Sequence, residues 1–304
     1  MTELRRLLLA LLAVSTLVVA APRASAQSPA GEPPKPEATA ADTIFGRSGR
    51  IWARFFAPKR TMEIEPIARL FGKREQKSES TVTVQDSTSG KSLSLISMLP
   101  FSEKGKNGKV GDYHIGRFPE EKGRLRSAAY VNPEGFIEVT EENQFTQVSE
   151  HFKFSDFLTH DQKDVWPKYL VLREALLDKL ELIIVELQRR GIDAQHITIV
   201  SGFRSPQYNQ KGVGRGGRAR DSRHQFGDAA DIVVDNNHDS KLDDLNHDGR
   251  VNAKDTKILA DAVEAVERQY PELVGGLGLY RATRGHSPFV HVDVRGTRAR
   301  WGRL

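Results

Sequence analysis

The chain has 304 residues, with 45 Lys and Arg against 40 Asp and Glu, and no Cys. The formal charge of +5 is a mild excess for this length; it lacks the dense basic stripe of a nucleic-acid binder, so nucleic acid is not expected as a partner. Without Cys there are no disulfides and no lipid-modified cysteine anchor, and stability falls to the core and to any bound metal.

The first element has the order of a secretory leader. Arg5 and Arg6 precede an apolar run from Leu7 to Ala21, and Ala24-Ser25-Ala26 offers small residues for cleavage. Residues 1–26 are expected to be a signal peptide. The run is too short for a comfortable membrane span, so the mature protein is expected to be periplasmic or secreted, with no stable membrane span. Residues 27–43, rich in Pro, Ala and Glu, read as a disordered linker. Ile51, Trp52, Phe55 and Phe56 suggest a short amphipathic helix. From Thr81 the pattern turns to strands: Thr81-Val82-Thr83-Val84, then Leu93 and Leu95, then Phe136-Ile137-Glu138-Val139 after the turn Asn132-Pro133-Glu134-Gly135. A small β-rich domain of unassigned role is expected over 60–150.

The period then changes. Leu172, Leu176, Leu180, Ile183 and Leu187 recur at three or four residues and predict a helix within 166–190, with Pro167 in its first turn and Gly191 as its stop. Ile197 to Val200 reads as a buried strand leading into Ser201-Gly202-Phe203-Arg204-Ser205. A second helix is expected from Asp255 to Gln269, and strands over 277–280 and 289–294. The fold class is α+β, with a second domain over 160–304.

The chemistry concentrates in Ser222-Arg223-His224-Gln225-Phe226-Gly227-Asp228-Ala229-Ala230-Asp231. His224 offers an imidazole from a loop, Gly227 permits a tight turn, and strand alternation lets Asp231 turn back toward the same ion. Phe289-Val290-His291-Val292-Asp293 supplies another His, with His291 and Asp293 on one face of their strand. Two His and one carboxylate leave a fourth zinc position open, as catalytic sites do.

The spacing Ser222-x-His224-x-x-Gly227-x-Ala229-x-Asp231, the late His291-x-Asp293 and the upstream Ser201-Gly202-Phe203-Arg204-Ser205-Pro206 resemble the zinc D-Ala-D-Ala carboxypeptidase and endopeptidase family. That family belongs with the lysostaphin-type enzymes and the hedgehog domain. The resemblance covers about 165–304. It implies a hedgehog-like zinc domain, His224, Asp231 and His291 as zinc ligands, and Arg204 steadying the substrate carbonyl and its developing oxyanion. It implies hydrolysis of D-alanyl bonds in peptidoglycan, an anionic polymer that suits the chain's positive excess. Many members carry a Glu three residues before the last zinc His; Pro288 stands there in this chain. Asp293 is the next carboxylate, either as the general base or as a partner that orients His291. His286 is a further candidate.

A second pattern lies between the two halves of the zinc motif. Asp244, Asn246, Asp248, Gly249, Arg250 (through its carbonyl) and Asp255 fall at the positions of a calcium loop, resembling a dockerin or EF-hand, within an insertion over 235–255. Asp235, Asn237, Asp239 and Asp243 repeat the oxygen spacing just upstream. Zinc and a structural calcium are thus the expected ions. Two other functions fit the same residues: a zinc-containing wall-binding module without turnover, and a calcium-dependent adhesion protein.

Overall fold

The structure, a computed structural model, describes residues 45–57, 73–78, 81–85, 92–214 and 217–302. The expected signal peptide and linker lie outside the described residues. Among those described, no helix is long and apolar enough to cross a membrane.

Four strands near the N-terminus form one sheet in the order β1-β4-β3-β2: β1 (Ala53–Phe56), β2 (Lys73–Ser78), β3 (Thr81–Gln85) and β4 (Ser92–Ser97). The helix expected around Ile51 and Phe56 is instead β1. It pairs in parallel with β4, and Ile51 bridges to Ser149. These backbone groups find ladder partners, and Ile51 and Ala53 are both fully buried. Val82, Val84, Leu93 and Leu95 close a small apolar cluster of their own, with Phe56 against it.

The following strands are short: β5 (Leu99–Pro100), the hairpin β6 (Lys109–Val110) and β7 (Tyr113–His114), and β8 (Gly135–Val139). A four-residue helix α1 (Phe154–Phe157) precedes β9 (Lys168–Leu170). Strand β9 pairs with β8, so a three-stranded sheet β5-β8-β9 joins the N-terminal half to the segment leading into the long helix α2 (Glu174–Arg189). Here the helix expected from Trp166 starts later, because residues 168–170 are taken by the ladder to β8. The apolar core is correspondingly continuous. Val110, Ile115, Phe118, Phe136 and Val148 lie in one cluster with Leu176, Leu180, Ile183, Ile232 and Val263. The segment 98–150 is thus packed into the C-terminal domain, while the small separate cluster belongs to β3 and β4.

The C-terminal half is built on a five-stranded sheet, β10-β11-β13-β12-β14, from β10 (Ile197–Ser201), β11 (Ala229–Val234), β12 (Gly276–Tyr280), β13 (Phe289–Asp293) and β14 (Ala299–Trp301). A short helix α3 (Pro206–Lys211) follows β10, with Ser205 as its N-cap accepting from Tyr208 N at 3.1 Å. Helix α4 (Ala253–Gln269) begins in a capping box of Asn252 and Asp255. Leu259, Val263 and Val266 of α4 share the core with Ile232, Val290 and Val292 of the sheet. Alternation therefore leaves Asp231 and His291 on the other face. Their registers meet, Asp231 opposite His291, and directly opposed residues in an antiparallel pair share a face.

Candidate metal centre

Three elements bring the donors together. His224 sits in a 3-10 turn (Arg223–Phe226) that ends at Gly227, whose φ is +64°. A Cβ at Gly227 would overlap the Val171 carbonyl, so only glycine passes there. The turn is locked from beneath by the buried pair Arg223–Asp228, and Arg223 also donates to Ala129 O at 2.6 Å. Arg223 further packs over the Tyr130 and Phe226 rings, so the N-terminal half braces the motif directly.

His224 Nε2, Asp231 Oδ1 and His291 Nδ1 converge. The separations are 3.1 Å between the imidazoles, 2.9 Å from His291 to Asp231 and 3.3 Å from His224 to Asp231. Each ring is oriented from behind. His224 Nδ1 lies 2.7 Å from Gly202 O, and His291 Nε2 lies 3.2 Å from Asp293 Oδ2. Both partners are acceptors, so each ring carries its proton on the outer nitrogen and aims a lone pair inward. Two nitrogen lone pairs and one carboxylate oxygen thus face one point. Tetrahedral zinc with ligands at its usual bond lengths spaces them about 3.3 Å apart, so the donor set fits zinc. All three residues are almost wholly buried. Burial pushes His224 below its ordinary pKa. Burial alone would raise Asp231, yet His224 and His291 hold it well below the carboxylate range. Burial would likewise lower His291, but its hydrogen bonds to Asp231 and Asp293 raise it.

Asp293 meets His291 on the ring nitrogen turned away from the donor point. Its oxygens accept from Gly276 N at 2.8 Å, Arg295 N at 3.1 Å, the Arg295 guanidinium and His291 Nε2, and the side chain is fully buried. Every lone pair is engaged, behind the ligand. Asp293 thus lies behind His291, placed to orient its ring. Arg295, two residues beyond Asp293, was not singled out from sequence.

Arg204 lines the same cleft of about 620 Å³ as the three donors. Its Nη2 pairs with Asp231 Oδ2 and its Nε donates to Ser201 Oγ at 2.8 Å. Its Nη1 has no acceptor among the described residues. Part of the cleft lining is aromatic. Tyr280 and Phe289 stack at 4.5 Å, Trp301 Nε1 donates to Tyr280 OH at 2.9 Å, and the Trp301 ring lies 5.1 Å from His291. His286 packs edge-on to Phe289 and also lines the cleft. Arg126 and Tyr130 enter from the N-terminal half; nothing in their local sequence marks them.

Residues 151–293 match the family model of peptidase M15. That family comprises zinc D-Ala-D-Ala carboxypeptidase-like metallopeptidases, and this segment is similar to it. No curated protein and no solved structure matches the chain. The M15 segment contains all three donors and Arg204, while Trp301 lies beyond it.

The acidic insertion of the M15 segment is a doubled turn. Asp244 accepts from Asp248 N at 3.2 Å and Gly249 N at 2.7 Å; Asn246 accepts from Asp248 N at 2.9 Å; Asp248 accepts from Arg250 N at 3.1 Å. Nine residues upstream the pattern recurs. Asp235 accepts from Asp239 N and Ser240 N, Asn237 from Asp239 N, and Asp239 from Lys241 N. Positive φ falls at His238, Ser240, His247 and Gly249 in the same phase. Lys254 pairs with Asp248 at 2.7 Å, and Asp255 accepts from Leu245 N and Asn252 N. The carboxylates of Asp244, Asp248 and Asp255 do not gather within 4.8 Å as the zinc donors do.

Proposed function

We propose that this protein is a zinc-dependent peptidase acting on D-alanyl bonds of peptidoglycan stem peptides or crosslinks, exported by the leader over residues 1–26. The observation that carries the reading is the convergence of His224, Asp231 and His291 on one point in an open cleft. The match to the M15 family model supports the reaction class.

When bound, zinc supplies Lewis acidity toward a carbonyl oxygen and a water. The chain's own groups then have distinct tasks. His224 and His291 present lone pairs held in place by Gly202 O and Asp293. Arg204, already anchored on Asp231 and Ser201, offers Nη1 to the scissile carbonyl as negative charge develops there. His286 is the base in this scheme. Its Nδ1 lies 2.8 Å from Ser287 O, so the neutral ring keeps its proton on Nδ1 and leaves Nε2 to take one from the attacking water. The same nitrogen returns it to the leaving amine. The Tyr280–Phe289 stack lines the same cleft.

The doubled turn over 235–252 favours one addition. We propose that the loop from Asp244 to Asp255, with Arg250 contributing its carbonyl, takes a calcium ion once Lys254 leaves Asp248.

Mass spectrometry of muropeptides after incubation tests the enzyme reading. Loss of one terminal alanine marks a carboxypeptidase, and conversion of crosslinked dimers to monomers an endopeptidase. His224→Ala, Asp231→Ala and His291→Ala are each expected to abolish both activity and bound zinc, since two protein ligands hold zinc poorly. His286→Gln is expected to keep its zinc and lose about a hundredfold or more in kcat. Intact peptidoglycan after incubation with zinc-loaded parent protein would leave a wall-binding module as the better description.

A further inference from the structure

Most cations lining the cleft already have a carboxylate. Arg204, Arg223 and Arg295 pair with Asp231, Asp228 and Asp293. Arg126 faces Asp221 at 3.3 Å and Lys211 faces Asp161 at 3.2 Å. Arg218 is the exception. It lines the cleft, is half-buried, and meets no carboxylate among the described residues.

It is nevertheless held in place. Its guanidinium lies over the Tyr208 ring at 4.0 Å, and its Nη1 donates to Tyr208 O at 2.6 Å. Its backbone N donates to Gly212 O at 2.7 Å. Gly212 has no Cβ to displace the stem; one built there would stand 2.7 Å from Arg218 Cδ. The buried Asn209 amide donates to Ala219 O and Arg220 O at 3.0 and 3.2 Å, pinning the chain just beyond Arg218 to helix α3. One nitrogen and one ring face are used. Nε and Nη2, the two donors of a bidentate fork, have no acceptor among the described residues. An ordered, planar, unpaired guanidinium in a cleft is matched to a carboxylate supplied from outside.

We infer that Arg218 receives a carboxylate of the substrate peptide and so selects which peptides enter the zinc cleft. The inference rests on the peptidase reading for the nature of the ligand. That carboxylate is either the C-terminal one or a side-chain one, and the chemistry at Arg218 is the same for both.

The test is calorimetric binding to the zinc-loaded protein of four stem-type peptides: the C-terminal acid and its amide, and a side-chain acid and its amide. One amidation is expected to weaken binding about tenfold or more, the usual scale of a charge-assisted pair. In Arg218→Gln, that acid and its amide should bind within about twofold of each other. Arg218→Lys, which keeps the charge without the fork, should fall between. The amidation whose effect disappears identifies the source. Equal binding of all four peptides by the parent overturns the inference. So does an Arg218→Gln variant, melting as the parent does, that weakens acid and amide alike. Turnover is read separately. Arg218-dependent preference without cleavage keeps the inference and sinks the peptidase reading; cleavage without preference does the reverse.

Discussion

Asp293 stands between His291 and Arg295, 3.2 Å from the Nε2 of the first and wrapped by the guanidinium of the second. The carboxylate sets the tautomer of a metal-directed histidine, and the arginine keeps the carboxylate ionised. Burial would raise the Asp293 pKa, but His291 and Arg295 hold it far below the usual range. Asp293→Asn retains the shape and loses the charge. Zinc affinity is expected to fall about 10–100-fold, read by competition with a chromophoric chelator. Unchanged zinc affinity would show that Asp293 serves only the fold.

Arg204 touches a metal donor through Nη2 and the cleft through Nη1. Arg204→Lys keeps one charge near Asp231 but cannot serve both. It is expected to retain zinc and lose about tenfold or more in kcat, measured on muropeptides under saturating zinc. Parent-level turnover would make Arg204 a brace for Asp231 and nothing more.

The doubled turn predicts a stability effect from calcium. An ion bound only to the folded state raises unfolding free energy by mass action. Calcium should raise the melting temperature of the parent and protect 235–255 from proteolysis, and Asp248→Ala should lose both effects while keeping zinc. Magnesium, which prefers a smaller octahedral site, should substitute poorly. Superimposable melting curves for parent and variant across a calcium titration would reduce the loop to a hydrogen-bonded turn.

His151 predicts a pH dependence away from the metal. Its Nδ1 lies 2.7 Å from Glu181 Oε2 and its backbone N donates to Oε1 at 2.9 Å. The hydrogen bond to Glu181 raises the His151 pKa, against burial. The protonated form is therefore favoured by folding. Its contribution is fully present below the unfolded value near 6.5 and is lost as pH rises through the raised folded value. His151→Asn should lower the melting temperature more at pH 5.5 than at pH 9, by differential scanning calorimetry. A larger loss at pH 9 would reverse the assignment.

The metal donors were legible because their signal is local: spacing around Gly227 and strand alternation at His291 say what shares a face. The helix α4 and strands β10 to β13 were legible from their periods. What escaped was set at a distance. Tyr169 extends the spacing that runs through Leu172 and Leu176, and only the partner strand β8, some thirty residues upstream, makes residues 168–170 a strand. Ile51 to Phe56 carries apolar residues that suit either period, and pairing with β4 decides. The partners of Asp293, Gly276 and Arg295, are brought to it by the fold, and Arg218 became visible only once its neighbours' carboxylates were assigned. The sequence did contain one clue to Arg295, an arginine two residues after the acid of the His-x-Asp strand.

The shared core changes what a shortened protein would be. Residues 151–293 mark where inherited resemblance begins and ends, but Ile115, Phe118, Phe136 and Val148 lie before that limit and are fully buried against it. Removing them strips four large apolar side chains from the packing, each contributing about 1.5–3 kcal/mol by burial. That sum rivals the about 5–15 kcal/mol by which a whole domain is stable. A chain cut to begin at residue 151 is expected to melt without a cooperative transition and to bind hydrophobic dye at room temperature. Ancestry and mechanical integrity thus draw different borders on this polypeptide, and the packed core, reaching back to Ile51, draws the wider one.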